Sequence, residues 1–207
     1  MDKTLRFLEI IEPFVNSFPL VIVSYLIGSI PFGLLLTKII KKIDIRNNGS
    51  GNIGATNAFR VGGVALGLLT LLLDFTKGSV TILISQLYDY EKFGICGLIC
   101  LLGHVYPIWL GFKGGKGVAT TLGIMFIVYP NYFCIMIIVW LITFKLSNIP
   151  SIASLLSLIT TILVLVGNKN HLNSMYIVSS LILVILQHKD NILRIINRKE
   201  DKLYFKK

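Results

Sequence analysis

Charge is scarce in this 207-residue chain: Asp, Glu, Lys and Arg make up 14% of it, against 54% hydrophobic residues. Soluble domains carry about 25% charged residues, so the shortfall and the long apolar runs exclude an ordinary water-soluble domain and indicate a membrane protein. Cysteine is nearly absent. Cys96, Cys100 and Cys134 all lie in apolar segments, and an odd set so placed does not build a disulfide framework. Histidine occurs three times, and no grouping of His, Cys and carboxylates suggests a metal site; neither a metal nor another cofactor is expected. Acidic residues number ten against twenty Lys and Arg. That basic excess has no soluble basic face or aromatic-interleaved sheet to act through, so no nucleic-acid partner is expected. The opening residues do not form a secretory signal, because Asp2, Glu9 and Glu12 interrupt what would be its basic region.

What is present is a series of apolar segments at about 18–40, 61–88, 93–111, 117–129, 130–146, 150–167 and 174–188. The second has an interruption at Asp74–Gly78, where Asp74 and Lys77 stand three apart and can pair at a kink. The stretch 117–146 is long for one crossing, and Tyr129-Pro130-Asn131 supplies a turn that divides it. The expectation is an all-α integral membrane protein of about seven transmembrane helices, some short or broken, forming a single polytopic domain over 1–207. With seven crossings, the loops on one side hold fifteen Lys and Arg against four Asp and Glu, and the other side four against five. The basic side is cytoplasmic by the positive-inside rule. The N-terminus is therefore expected outside and the C-terminus in the cytoplasm.

Three polar clusters fall on the basic side. The first, DIRNNGSGNIGATNAFRVGG (44–63), combines flexible glycines with the side-chain donors Ser50, Asn52, Thr56 and Asn57. Its Arg46 and Arg60 could grip phosphate oxygens bidentately. The second, GFKGGKGVATTLG (111–123), puts Lys113, Gly114, Gly115, Lys116 and Gly117 where a helix begins. Unpaired N–H groups and the helix dipole favour an anion there. It is not a Walker A loop, because Lys116 is followed by Gly117 rather than Ser or Thr. Just upstream, His104 falls at or near membrane depth, as a packing histidine or a functional one. The third cluster is the C-terminal exit, where His188, Asn191 and Arg194 share a helix face by their three-residue spacing. Ser151 and Ser154 stand at the head of the sixth segment, Ser154 one turn inside where a pocket could use it. Phosphate-sized sites beside lipid suit a pair of substrates, one phosphorylated and polar, the other carrying a lipid-soluble chain.

GSIPFG, GSGNIGATNAFR, LLLDFTKG, GHVYPIWLGFKGGKGVAT and HKDNILRIINRKE follow one another from residue 28 to about 200. In order and spacing they resemble the bacterial acyl-phosphate:glycerol-3-phosphate acyltransferases, the PlsY family. The resemblance implies a seven-helix enzyme of the cell inner membrane with its active site facing the cytoplasm. It would move a fatty acyl group from acyl phosphate to the sn-1 hydroxyl of glycerol 3-phosphate, giving lysophosphatidate and phosphate for phospholipid synthesis. It carries catalytic roles onto Ser50, Arg60, Lys116, Ser154, His188 and Asn191. Phosphate or substrate contacts fall to Asn52, Thr56, Asn57, Lys113, Gly114, Gly115, Gly117 and Glu200. Lys189 stands where the family pattern has Arg, and Arg198 where it has Gly.

The residues agree with direct transfer. No histidine is followed five residues on by Asp, and no cysteine lies near the polar loops, so neither a His–Asp acyltransferase nor a thioester intermediate is suggested. On this expectation Lys116, Arg60 and backbone N–H groups hold the leaving phosphate, and Asn191 or Ser50 donates to the oxyanion. His188 orients the acceptor, or the donor's phosphate takes its proton. The rival class, a transporter or channel for phosphate or a phosphorylated polyol, would show charges through the bilayer depth or symmetric broken helices. Only Asp74, Lys77 and His104 sit at depth, and no matching halves are found.

Overall fold

The computed structural model of the protein describes residues 18–88, 93–167 and 174–204. The lead segment before Phe18, and with it the expected outside position of the N-terminus, lies outside the described residues. The first apolar run is two helices, α1 over 18–29 and α2 over Phe32–Lys41. Pro31 caps the second with φ −90° and ψ 71°. Its ring and missing N–H prevent the first helix from continuing. A polar loop then leads into the short α3 (Ala55–Gly62), and Gly63 turns the chain into α4 (Val64–Tyr88).

α4 runs unbroken for 25 residues, so the interruption expected at Asp74–Gly78 is absent. Gly78 serves packing instead. A Cβ there would lie 2.2 Å from the Thr120 carbonyl oxygen, and one on Gly123 would lie 1.9 Å from that of Phe75. The two glycines thus let α4 meet α6 backbone to backbone, the small-residue contact that helices in lipid depend on. Its gain outweighs the roughly 1 kcal/mol that an interior glycine costs a helix. The Ser79 hydroxyl donates to the Gly123 carbonyl across the same contact, at 2.9 Å. Asp74 and Lys77 do pair, at 2.7 Å, both buried in a regular helix rather than at a kink.

α5 (Phe93–Val105) is followed by a single 3-10 turn, Ile108–Leu110, and a glycine-rich loop. α6 (Val118–Val128) and α7 (Pro130–Ser147) are separate helices divided at Tyr129, as the proline there requires. α8 (Pro150–Gly167), α9 (Ser174–Leu186) and the short α10 (Lys189–Ile196) complete the order. Five described segments are long and apolar enough to cross a membrane; α6 and α9 are apolar but shorter. The core between them is built by Leu101, Met125, Met136, Leu158 and Leu181, all at most 0% exposed. α7 packs along α8 and against α6, with Tyr132 and Met136 its buried residues.

Candidate active site

The loop before α3 is held by one side chain. Asn57 Oδ1 accepts from the Ser50 amide at 2.8 Å, while its Nδ2 donates to the carbonyls of Ile45, Asn48 and Asn52 at 3.2, 2.9 and 2.8 Å. Asn57 borders the cavity, yet its amide is spent on the loop that presents Ser50. Asn52 Oδ1 likewise accepts from the Gly54 amide at 2.9 Å. Arg46 is not the phosphate clamp its position suggested. Its Nε and Nη2 donate to Asp44 at 3.0 and 2.7 Å, outside the cavity. That charge-assisted pair, with Lys38 adding to it, holds the Asp44 carboxyl far below the usual carboxylate range. Arg60 points the other way, to the cavity wall and the Asp201 carbonyl, 3.4 Å from Nη2.

The glycine loop after α5 folds back alongside the helix it has just left. The Gly114 amide donates to the Val105 carbonyl at 2.9 Å and the Gly115 amide to that of His104 at 3.1 Å. Gly117, with φ 92°, then opens α6 beside the Leu101 side chain. Since Leu101 lies four residues before the end of α5, the loop descends about 6 Å into the bundle at 1.5 Å per residue. This changes what the glycines do. The amides of Gly114 and Gly115 are consumed by α5 carbonyls and cannot hold phosphate. Both residues are glycine because a Cβ would lie 2.1 Å from the His104 carbonyl oxygen or from His104 Nε2. Lys113 stays exposed above the site and does not border the cavity. Lys116 and Gly117 do, together with the amides of the first turn of α6, which have no intrahelical partner.

The third wall comes from α8, α10 and the tail. Glu200 gathers them: Oε1 accepts from Ser151 Oγ at 2.7 Å and Asn191 Nδ2 at 2.5 Å, and Oε2 from Arg194 Nε at 2.6 Å. Burial alone would raise this carboxyl; the hydrogen bonds from Ser151, Asn191 and Arg194 outweigh it and hold the pKa below its ordinary value. Asn191 Oδ1 in turn accepts from Lys116 Nζ, so its amide is oriented by a cation on one side and an anion on the other. Arg198 adopts φ 56°, the left-handed region glycine favours, to turn the chain toward Glu200. The tail is then pinned by the Leu203 amide donating to the Asn148 carbonyl at 2.7 Å.

These parts enclose a cavity of about 290 Å³. Burial among apolar neighbours lowers the Lys116 ammonium to about 8, with Glu200 partly restoring it and the Arg194 and Arg60 charges lowering it further. The His188 imidazole is lowered to about 4 by burial and by the Lys116 charge. Its Nδ1 lies 2.7 Å from the Val184 carbonyl, which can only accept. His188 is therefore neutral near pH 7, with its proton on Nδ1 and the Nε2 lone pair free.

Of the residues singled out in the sequence, Ser50, Asn52, Thr56, Asn57, Arg60, Lys116, Gly117, Ser154, His188, Asn191 and Glu200 border this one cavity, whereas Lys113, Gly114 and Gly115 do not. Ser151, at the head of its segment as expected, ties Glu200 down; Trp140 on α7, which went unread, donates from Nε1 to Ser154 Oγ at 3.1 Å. Nothing local marks Trp140 within its apolar run. Opposite these groups Leu71, Leu122, Ile137 and Leu141 build an apolar wall, and the buried Asp74 and His104 also border the cavity. Among the described residues no three His, Cys, Asp or Glu side chains converge as a metal site would require.

Such a cavity has one end lined by cationic and polar groups and one lined by apolar side chains. A family profile described as glycerol-3-phosphate acyltransferase matches residues 18–198. A protein of Pelagibacter ubique named glycerol-3-phosphate acyltransferase is 45% identical over 86% of this chain and 93% of its own. One of the same name from Anaplasma phagocytophilum is 44% identical, covering 87% of this chain and 95% of its own. The crystal structure of PlsY (YgiH), an integral membrane glycerol 3-phosphate acyltransferase, in its glycerol 3-phosphate form superposes with a TM-score of 0.86 at 38% identity. It covers 91% of this chain and 96% of that one. The lysophosphatidic acid form gives 0.83 at 37% identity, with the same coverage.

Proposed function

The chain belongs to the glycerol-3-phosphate acyltransferase family, and from that premise we propose that it acylates the sn-1 hydroxyl of glycerol 3-phosphate. The donor is an acyl phosphate and the products are lysophosphatidate and inorganic phosphate. The protein is a multi-pass membrane enzyme. We assign it seven crossings in the cell inner membrane, with the C-terminus and the cavity on the cytoplasmic side; the positive-inside rule supports this assignment. The observation that carries the function is the cavity's division: Lys116, Arg60, Asn191 and His188 at one end, an apolar wall from α4, α6 and α7 at the other. A phosphate joined directly to a fatty chain fits that division.

In this reading Lys116, Arg60 and the first-turn amides of α6 receive the donor's phosphate, and the chain runs along Leu71, Leu122, Ile137 and Leu141. The acceptor hydroxyl donates to His188 Nε2, which aims its oxygen at the acyl carbon. Attack forms the new C–O bond, the bond from acyl carbon to phosphate oxygen breaks, and phosphate departs. The hydroxyl proton has two possible destinations. His188 at about 4 is too weak a base to keep it near pH 7, while a phosphate ester's second pKa is about 6. The proton therefore ends on the departing phosphate and His188 acts by orientation. The second N–H of Asn191 Nδ2, not used by Glu200, and the Ser154 hydroxyl, already accepting from Trp140, are the donors available to the carbonyl oxygen as it gains charge.

Purified protein offered palmitoyl phosphate, palmitoyl-CoA or palmitoyl-carrier protein separately, with glycerol 3-phosphate and no added metal, tests this directly. Turnover with the acyl phosphate alone is expected. Turnover with a thioester overturns the donor assignment, and no turnover with any of the three donors overturns the activity.

A further inference from the structure

We propose that Lys77, a residue with no contact to substrate in this reading, is a positioning residue that braces the two arms of the active site against each other. The inference rests on the acyltransferase reading above. Lys77 is 4% exposed, in the middle of α4. An ammonium has three N–H donors; two of them meet His104 Nδ1 at 2.7 Å and the Ile30 carbonyl at 3.1 Å, and Asp74 Oδ1 stands 2.7 Å away as the counter-ion. Because an ammonium only donates, the neutral His104 ring accepts at Nδ1 and carries its proton on Nε2.

The two acceptors of these bonds lead to opposite sides of the cavity. Ile30 is the residue at which α1 breaks, immediately before Pro31. From that break α2 carries Gly33 onto the loop of Ser50: a Cβ on Gly33 would lie 1.9 Å from the Ile53 carbonyl oxygen. His104 leads to the other arm. Its carbonyl accepts from the Gly115 amide at 3.1 Å, and its ring fills the space that a Gly115 side chain would need. Lys116 is the next residue. One ammonium thus fixes the start of the Ser50 arm and the seat of the Lys116 arm in a single set of bonds.

Stability does not call for this arrangement. A buried ion pair can be replaced by apolar residues of similar volume at little or no loss. What an apolar replacement lacks is direction: the two N–H bonds define two positions, one on each arm, where packing defines only volume. The two arms hold different groups that must meet within reacting distance, and an error of about 1 Å costs about a hundredfold in rate.

The double variant Asp74→Leu/Lys77→Met removes both buried charges together, so neither is stranded. With active wild type alongside, the expected result is a thermal midpoint in detergent within a few degrees and KM for both substrates within about threefold. The expected fall in kcat is about a hundredfold. His104→Leu cuts the bond from Lys77 to the ring while the backbone bond from Gly115 and the Asp74–Lys77 pair remain, which keeps the test open if the double variant fails to fold; the same kcat-specific loss is expected. A folded variant of either kind that keeps kcat within threefold, or loses activity through KM alone, overturns the brace. Wild type inactive with every acyl donor instead removes the activity on which the brace depends, a result distinguishable from unchanged variants beside an active wild type.

Discussion

Raising the pH should switch the enzyme off through a single lysine. Lys116 has the depressed value of about 8 because it lies at the floor of a folded-back loop, among apolar neighbours and near Arg194 and Arg60. Its charged form is the one that attracts phosphate, and that form is present below the pKa and lost above it. With a pKa of about 8, roughly nine-tenths of Lys116 is charged at pH 7 and about one-tenth at pH 9. The profile of kcat/KM against pH, which reports groups of the free enzyme, should therefore fall about tenfold between pH 7 and pH 9. Above that it should fall with a slope of −1. An unshifted lysine would leave the profile flat to about pH 10. The assay is initial-rate phosphate release with palmitoyl phosphate, the substrate Lys116 receives, varied well below KM at fixed glycerol 3-phosphate. Lys116→Arg supplies the control: its guanidinium stays charged throughout, so whatever activity survives should lose the alkaline limb. A wild-type profile level to pH 10, or the same limb in Lys116→Arg, would refute the assignment of the limb to Lys116.

Glu200→Gln removes the anion that partly restores the Lys116 charge, so the alkaline limb should move to lower pH; a limb that stays or moves up counts against the coupling. Gly115→Ala places a methyl group about where His104 Nε2 already stands, and the displaced Lys116 should lower kcat/KM by about a hundredfold, measured beside the thermal midpoint. Asn57→Ala leaves the Ser50 amide and three carbonyls without their partner. It should lower stability by about 2 kcal/mol and expose the 44–54 loop to protease, with limited proteolysis and chemical unfolding as the readouts.

Much of the fold was legible because lipid imposes simple rules. Long apolar runs and the proline at 130 marked the helices, and composition alone marked the polar loops. Where reading failed, the deciding partner was distant in sequence or the local signal was passed over. Asp74, Lys77 and Gly78 look like a helix breaker in isolation; only Thr120 and Gly123 on α6 reveal that the glycine exists for contact. Gly114 and Gly115 read as free phosphate donors until the loop doubles back and α5 takes their amides. Arg46 and Arg60 share one polar stretch of sequence and one chemistry, yet only Arg60, on α3, reaches the cavity. Here a local clue was present: Asp44, two residues before Arg46, also accepts from the Arg46 amide at 3.0 Å and claims the guanidinium. Arg198, standing where the family pattern has glycine, needed the backbone angle to explain it.

The apolar contribution of α7, a helix packed along α8, gives the enzyme two traits that can change independently. Every charged group in the cavity comes from other elements, whereas α7 contributes Ile137, Trp140 and Leu141 from a helix with just two buried residues. Of these only Trp140 touches a polar partner in the site. Replacing Ile137 or Leu141 by larger or smaller side chains would reshape the hydrocarbon end while the phosphate end keeps its geometry. Preference among fatty chains can then drift, with growth temperature or membrane composition, along a lineage in which the chemistry itself stays fixed.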